Sequence, residues 1–484
     1  MGILSNLEPK PVFHYFEEIC KIPHGSANTK AISDYCVRFA KEHQLKHIQD
    51  DANNVIIFKK GTEGYENAAP VILQGHLDMV CEKEKGCDID FTKDSLDLQL
   101  ENGIISAKGT TLGGDDGIAV AYILALLASD DIPHPPLEAV FTVDEEIGML
   151  GATALDCSPL KGRTMLNLDS EEEGYLLVSC AGGVTAAAHL PIQRKEVSGT
   201  AATLCITGLI GGHSGVEIDK GRANACKLLG RALYELKKEV SFELVSVSGG
   251  LKDNAIPREA SAALVFSSET DRKLFSETIA KQNSCYANEY IQTDASVQLL
   301  LTKEKETASV KAMTTETADK VITALCCLPN GIQGMSYDIE GLVQTSLNLG
   351  ILSTKEDEVS FSFSVRSSVS SQKEEVADRI RCLMEALGGS VSYTGDYPAW
   401  EYRQDSPLRD LMVRIFEEQY GKKPVVNAIH AGLECGIFSD RLPGLDCVSF
   451  GPDMKDIHTP KESMDAASVQ RTWEYTLEIL KQLK

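Results

Sequence analysis

The strongest constraint on the fold is a repeated local design, in which short apolar runs stop abruptly at polar, chemically active residues. VILQGHLDM (71–79) ends in His76 and Asp78, and VFTVDEE (140–146) in Asp144, Glu145 and Glu146. MLNLDSEEE (165–173) ends in Asp169, and CVSFGPDMKDIH (447–458) reaches His458 after a loop. Runs this short and apolar read as strands covered on both faces. Strand signals at 54–59, 70–80, 137–143 and 165–168 alternate with helical patterns at 11–22, 30–43 and 116–129. That alternation predicts an α/β layer. The pattern returns at the end of the chain, with a helix at 406–420, a strand at 445–450 and a helix at 466–483. Between them the character changes. Alternating strands such as 200–209 and 359–369 are separated by helical stretches at 221–238, 269–290, 308–325 and 372–387, an antiparallel α+β signature. The expected organisation is an α/β domain built from 1–184 and 398–484, interrupted by an α+β domain at 185–397.

Composition excludes several classes. With 47 Lys+Arg against 71 Asp+Glu the formal net charge is −24. There is no basic footprint, so nucleic acid and an anionic membrane are not expected as main partners. No run of about 18 apolar residues occurs, and the first twenty residues do not read as a signal peptide. The 14 cysteines are scattered, without a CxxC pair. The expectation is a soluble, cytoplasmic protein with reduced thiols.

Two histidines and several carboxylates, without cysteine ligands, suit a hard or borderline ion such as Zn²⁺, Mn²⁺ or Co²⁺. Taken singly, each residue has an ordinary alternative. A His or Asp after a strand is commonly a cap or turn residue, and Glu145-Glu146 alone reads as a solvated turn. Glu171–Glu173 are assigned to a solvated loop. Four strand ends together are harder to dismiss, because ligands in α/β sheets bind beyond the carboxyl ends of strands. A further acidic pair, Asp115-Asp116, sits in TTLGGDDG just before a helix. This turn is similar to a phosphate cradle, but its own carboxylates would repel phosphate and favour a cation. No dinucleotide or P-loop fingerprint, G-x-S-x-G elbow or H-E-x-x-H motif is present.

His76-Leu77-Asp78, Gly113-Gly114-Asp115-Asp116-Gly117, Glu145-Glu146 and Asp169 together resemble the M20 family of metallopeptidases. NLDSEEEG (167–174), CAGG (180–183), GGHSG (211–215), NAIPRE (254–259), HAGLECG (430–436) and GPDMKDIHTP (451–460) are similar to its aminoacyl-histidine dipeptidase (Xaa-His dipeptidase) branch. The resemblance implies a dimetal aminopeptidase-like catalytic domain, a mixed sheet flanked by helices, interrupted by a large α+β lid that could also serve dimerisation.

It also implies roles. His76 and Asp169 would bind one metal ion, Glu146 and His458 a second, and Asp115 would bridge them; zinc is expected, with cobalt or manganese as alternatives. Asp78 would fix the His76 ring, and Glu145 would be the general base toward a metal-bridged water. His213, Asn254 and Arg366 would contact substrate, as would Gly432 and Glu434 of the tail motif. The implied reaction is hydrolysis of unblocked dipeptides, notably Xaa-His and including β-alanyl-histidine, by a cytoplasmic enzyme that forms a homodimer. The alternatives are another M20 activity, aminoacylase or tripeptidase, and a non-catalytic protein that binds peptide or metal.

Overall fold

The computed structural model describes residues 2–484. The chain forms two compact units, one of Met1–Cys180, Tyr402–Ala428 and Leu433–Lys484, the other of Ala181–Glu401 with Ile429–Gly432. The short return piece at 429–432 is not foreseen by a plain insertion at 185–397.

The first unit is built on an eight-stranded sheet. Its order is Lys46–Gln49, Val55–Lys59, Leu137–Thr142, Val71–His76, Thr164–Asn167, Asp446–Ser449, Tyr175–Cys180 and Val425–Ile429. The four central strands, Leu137–Thr142 through Asp446–Ser449, are parallel neighbours. Val71–His76 and Leu137–Thr142 are buried along their whole length, which explains why they read as continuous apolar runs. Helix Gly114–Ala128 is apolar all round, with Ile118 to Leu127 buried without a break. Such a helix belongs in an interior. Its Tyr122 stacks on Trp473 at 5.9 Å and donates a 2.8 Å hydrogen bond to the Val469 carbonyl, tying it to helix Ala466–Gln482. A small second sheet joins Leu98–Glu101, Ile104–Ala107, Ser463–Asp465 and Met454–Lys455. It fixes the two ends of the loop that carries His458.

The second unit contains the same topology twice. One βαββαβ segment runs Arg194–Thr207, Ala225–Glu239, Glu243–Gly249, Ala260–Phe266, Glu269–Glu289 and Gln298–Met313. The other runs Gly182–Pro191, Thr315–Cys327, Val343–Thr354, Glu358–Ser367, Ser370–Ala386 and Ser390–Tyr397. In each, the sheet order is fourth, first, third, second. The first segment is nested inside the second, between its first strand and its first helix. The two second strands meet at Gly249 and Leu352, making one continuous antiparallel sheet.

The helix expected over 308–325 begins only at Thr315. Residues up to Met313 extend a strand that pairs with Arg194–Thr207. That long-range ladder overrides the local helical signal. Thr314 then caps the helix, its side chain accepting from the Thr317 N–H.

Leu166 lies in a central parallel strand and is 0% exposed. Leu166→Ala should cost about 2–5 kcal/mol, to be read as a shift in the denaturant midpoint with an unchanged slope.

Candidate active site

The four central strands share one carboxyl edge, and each delivers acidic or imidazole groups there. Val71–His76 ends on His76 itself, with Asp78 two residues on. Past Thr142 the chain turns through Asp144, whose φ of 55° is left-handed. This turn lets the adjacent Glu145 and Glu146 leave the strand alternation. Asp169 follows Thr164–Asn167, and His458 lies in the loop after Asp446–Ser449.

The His76 ring is oriented from behind. Its Nδ1 is 2.9 Å from the Asp78 main-chain carbonyl and 3.6 Å from Asp78 Oδ1. That partner holds a ring proton on Nδ1, so Nε2 is the nitrogen that faces the acids. Nε2 is 3.1 Å from Asp115 Oδ1 and 3.8 Å from Asp169 Oδ1. Across the cluster, His458 Nε2 is 3.1 Å from Asp115 Oδ2 and 2.8 Å from Glu146 Oε1. Asp115 thus offers one oxygen to each histidine. The Asp78 carboxylate accepts hydrogen bonds from Ser26 Oγ at 2.8 Å and from the N–H groups of Glu145 and Glu146 at 3.0 and 3.4 Å. One residue therefore steadies both His76, through its carbonyl, and the turn carrying the glutamates, through its side chain.

The electrostatics fit a missing positive charge. Burial pushes the Asp169 carboxyl well above the usual carboxylate range, and the Asp116 charge adds to it. Burial likewise lifts Glu145 to about 8. Asp115 goes the other way: burial would raise it, but its hydrogen bonds to His458 and His76 hold it below the ordinary range. Those same bonds from Asp115 and Glu146 lift His458 to about 10. Three groups combine these donors within 4.8 Å: His76, Asp116 and Asp169; His76, Glu145 and Glu146; and Asp115, Glu146 and His458. Carboxylates and imidazole, without thiolate, make a donor set for divalent cations.

The model for peptidase family M20/M25/M40 matches residues 72–482. The chain belongs to this family. Cytosol non-specific dipeptidase of Escherichia coli K12 is 36% identical over 485 residues, covering 100% of this chain and 99% of the relative. The crystal structure of aminoacylhistidine dipeptidase from Vibrio alginolyticus superposes with a TM-score of 0.92 at 38% identity, over 99% of this chain and 98% of that one. Aminopeptidase PepT from Bacillus cereus shares the fold, with a TM-score of 0.57 at 14% identity and 99% coverage of both chains.

In this M20 member the remaining expected residues divide between the units. Glu434 lies in the first unit and is 0% exposed. Its Oε2 accepts from Gln74 Nε2 and Thr142 Oγ1, both at 2.6 Å, so the carboxylate braces two central strands from within. In the second unit His213 sits on a two-residue strand paired with Ala255 and Ile256, beside Asn254, whose carbonyl accepts from the Ser214 N–H. Arg366 ends strand Glu358–Ser367 and donates to the Tyr397 hydroxyl at 3.0 Å. Gly432 belongs to the return piece of this unit. Glu173, expected as a solvated loop residue, instead forms a two-point ion pair with Arg471 at 2.6 and 2.7 Å.

Two residues fall within motifs read from the sequence, Asp116 in the Asp115-Asp116 pair and His430 in HAGLECG (430–436), without an individual role assigned there. Asp116 is fully buried, with Oδ2 accepting from the His76 N–H at 3.1 Å and Oδ1 without a partner. His430 is buried in the second unit, its Nε2 2.7 Å from Ser346 Oγ and its Nδ1 unpartnered. Burial, with Arg366 and His213 nearby, pushes His430 down to about 4.

An unfolded histidine takes its proton near pH 6.5, so the unfolded chain gains it first as the pH falls. The stabilising contribution is complete above pH 6.5 and is lost on the way down to pH 4. The wild type should therefore lose roughly 2 kcal/mol between pH 7 and pH 5 through this group alone. Paired denaturant titrations at the two pH values should show that increment vanish in His430→Asn.

Proposed function

We propose that this protein is a metal-dependent dipeptidase of the cytoplasm that hydrolyses unblocked dipeptides, notably Xaa-His and β-alanyl-histidine. The observation that carries the reading is Asp115, which presents one carboxylate oxygen to His76 and the other to His458 while Glu145 stands beside them. The full-length likeness to two proteins named as dipeptidases supports the substrate class. No helix among the described residues is long and apolar enough to cross a membrane. This is consistent with the location in the first relative's name.

In this proposal His76 and Asp169 hold one divalent ion, Glu146 and His458 a second, and Asp115 lies between. Two such ions, zinc in our reading with cobalt or manganese as alternatives, would supply Lewis acidity and lower a water's pKa toward ~7. Glu145 takes the proton as water attacks the amide carbon and returns it to the leaving amine. Asp78 holds that glutamate's backbone through a 3.0 Å hydrogen bond. Arg366 is assigned to the substrate's terminal carboxylate, which a guanidinium can grip at two points. His213 is assigned to the developing oxyanion, and Asn254 and Gly432 to further substrate contacts. Glu434 remains with them in the proposal, acting through its unpartnered Oε1. The inserted unit is proposed as the lid, and the assembly as a homodimer. A binding protein alone would have no use for a free glutamate beside a ligating one.

Histidine release from an unblocked Xaa-His dipeptide tests the reading. Activity should vanish on chelation, return with Zn²⁺, Co²⁺ or Mn²⁺, and fall by about 10²–10⁴ in Glu145→Gln, whose ion binding persists. Protein that binds two ions yet releases no histidine under any of the three metals would overturn the assignment.

A further inference from the structure

The glycine-rich turn at 110–117 has the form of an anion cradle, and the anion it holds belongs to the chain itself. Glu462 Oε2 accepts from the N–H groups of Leu112 at 2.7 Å and Gly113 at 3.1 Å. Its Oε1 accepts from Gly114 at 2.8 Å and Asp115 at 3.4 Å. Four successive backbone amides thus converge on one carboxylate that is 3% exposed. Such a row of N–H groups is a nest for negative charge. The turn needs its glycines: Gly113 has a left-handed φ of 67°, and a Cβ there would lie 2.9 Å from Met79 Sδ. At Gly114 a Cβ would lie 3.0 Å from Met454 Sδ and 3.3 Å from the Glu462 carboxylate.

Glu462 is also four residues from His458. The segment between them is tightly wound, with Thr459 Oγ1 donating to the Asp456 carbonyl at 2.7 Å and the Glu462 N–H donating to the Thr459 carbonyl at 3.0 Å. Strand Ser463–Asp465 then locks the segment to Ile104–Ala107. The connections close a ring: His458 leads along the chain to Glu462, Glu462 grips the turn bearing Asp115, and Asp115 Oδ2 returns to His458 Nε2 at 3.1 Å.

We propose that Glu462 is a positioning residue that sets the spacing of Asp115 and His458 and so builds the ion site that those two share with Glu146. It touches neither substrate nor ion; it acts through the backbone it holds. This rests on the dimetal reading above. Of the ligand pairs that share an ion, Asp115 with His458 joins the two segments most remote in sequence. Glu462 binds those two segments to each other through four hydrogen bonds to backbone amides.

The test is calorimetric titration of the metal-stripped, full-length chain with Zn²⁺, comparing wild type, Glu462→Gln, His458→Ala and the double variant. An uncharged amide cannot accept all four N–H groups, because its nitrogen is itself a donor. Wild type should take up two ions. Glu462→Gln should keep its far-UV spectrum but weaken one binding step about 10–100-fold, the range for loss of an outer-shell support. In the double variant the losses should not multiply, because both substitutions act on the same pair. Two wild-type binding steps in Glu462→Gln, or losses that multiply in the double variant, would overturn the proposal. Should Glu462→Gln fail to fold, Glu462→Asp keeps the charge on a shorter reach, and wild-type affinity at both steps there would overturn it equally. A wild type that binds fewer than two ions would instead refute the dimetal reading, and this proposal with it.

Discussion

Everything in the first unit depends on how negative charge is tolerated at the carboxyl edge of four parallel strands. Asp115, Asp116, Glu145, Glu146 and Asp169 crowd into one region, faced by His76 and His458. Carboxylates withdrawn from water cannot all ionise beside one another at neutral pH. The structure answers in two directions: Asp115 stays ionised between two imidazoles, while Asp169 and Asp116 are driven toward the protonated form by burial and mutual repulsion. Among the described residues, the ion pairs of these acids are with histidine rather than lysine or arginine. Divalent cations are the counter-charge that the cluster's geometry admits.

The fold was legible in the sequence where local pattern and burial agree. Val71–His76 and Leu137–Thr142 are covered on both faces, so their apolar runs could be read directly and their polar ends recognised as one edge. The candidate ligands followed from those ends. Glu462 was not legible: its meaning lies in amides some 350 residues away, and a lone glutamate after HTPK has no periodicity to mark it. His430 stands in the HAGLECG motif, but its own part was hidden, because its partner Ser346 lies 84 residues distant. The doubled βαββαβ topology of the second unit escaped for a topological reason. One copy is inserted into the other, so the halves do not follow each other as a repeat.

That nesting has a physical consequence for the second unit. A four-stranded βαββαβ sheet leaves its second strand as an open edge, a template for pairing with another chain. Here the edges Glu243–Gly249 and Val343–Thr354 meet at Gly249 and Leu352, while the start of Val343–Thr354 is covered by Gly331–Met335, so little of either edge is left open there. The helices of both halves contribute to one continuous apolar cluster, from Leu229 and Phe275 in one to Val321 and Ile380 in the other.

In each unit, one device recurs at several loops: a buried carboxylate held by backbone amides rather than by a cationic side chain. Asp78 holds the turn at Glu145 and Glu146, and Glu462 the turn at Asp115. Asp294, completely buried, accepts from Ile210 and Ala223 at 2.8 Å each and so pins both ends of the loop containing His213. Glu138 does the same for Lys161 and Gly162, and Asp446 for Leu408 at the start of helix Pro407–Tyr420. Charge-assisted bonds from amides are about twice as strong as neutral ones and carry fixed direction. Unlike an arginine or lysine, an amide brings no mobile side chain and no full positive charge to compete for a neighbouring acid. Near a cluster proposed to hold cations, that difference matters: cationic clamps would neutralise the acids they position, whereas peptide dipoles hold the loops and leave those acids free to meet a cation.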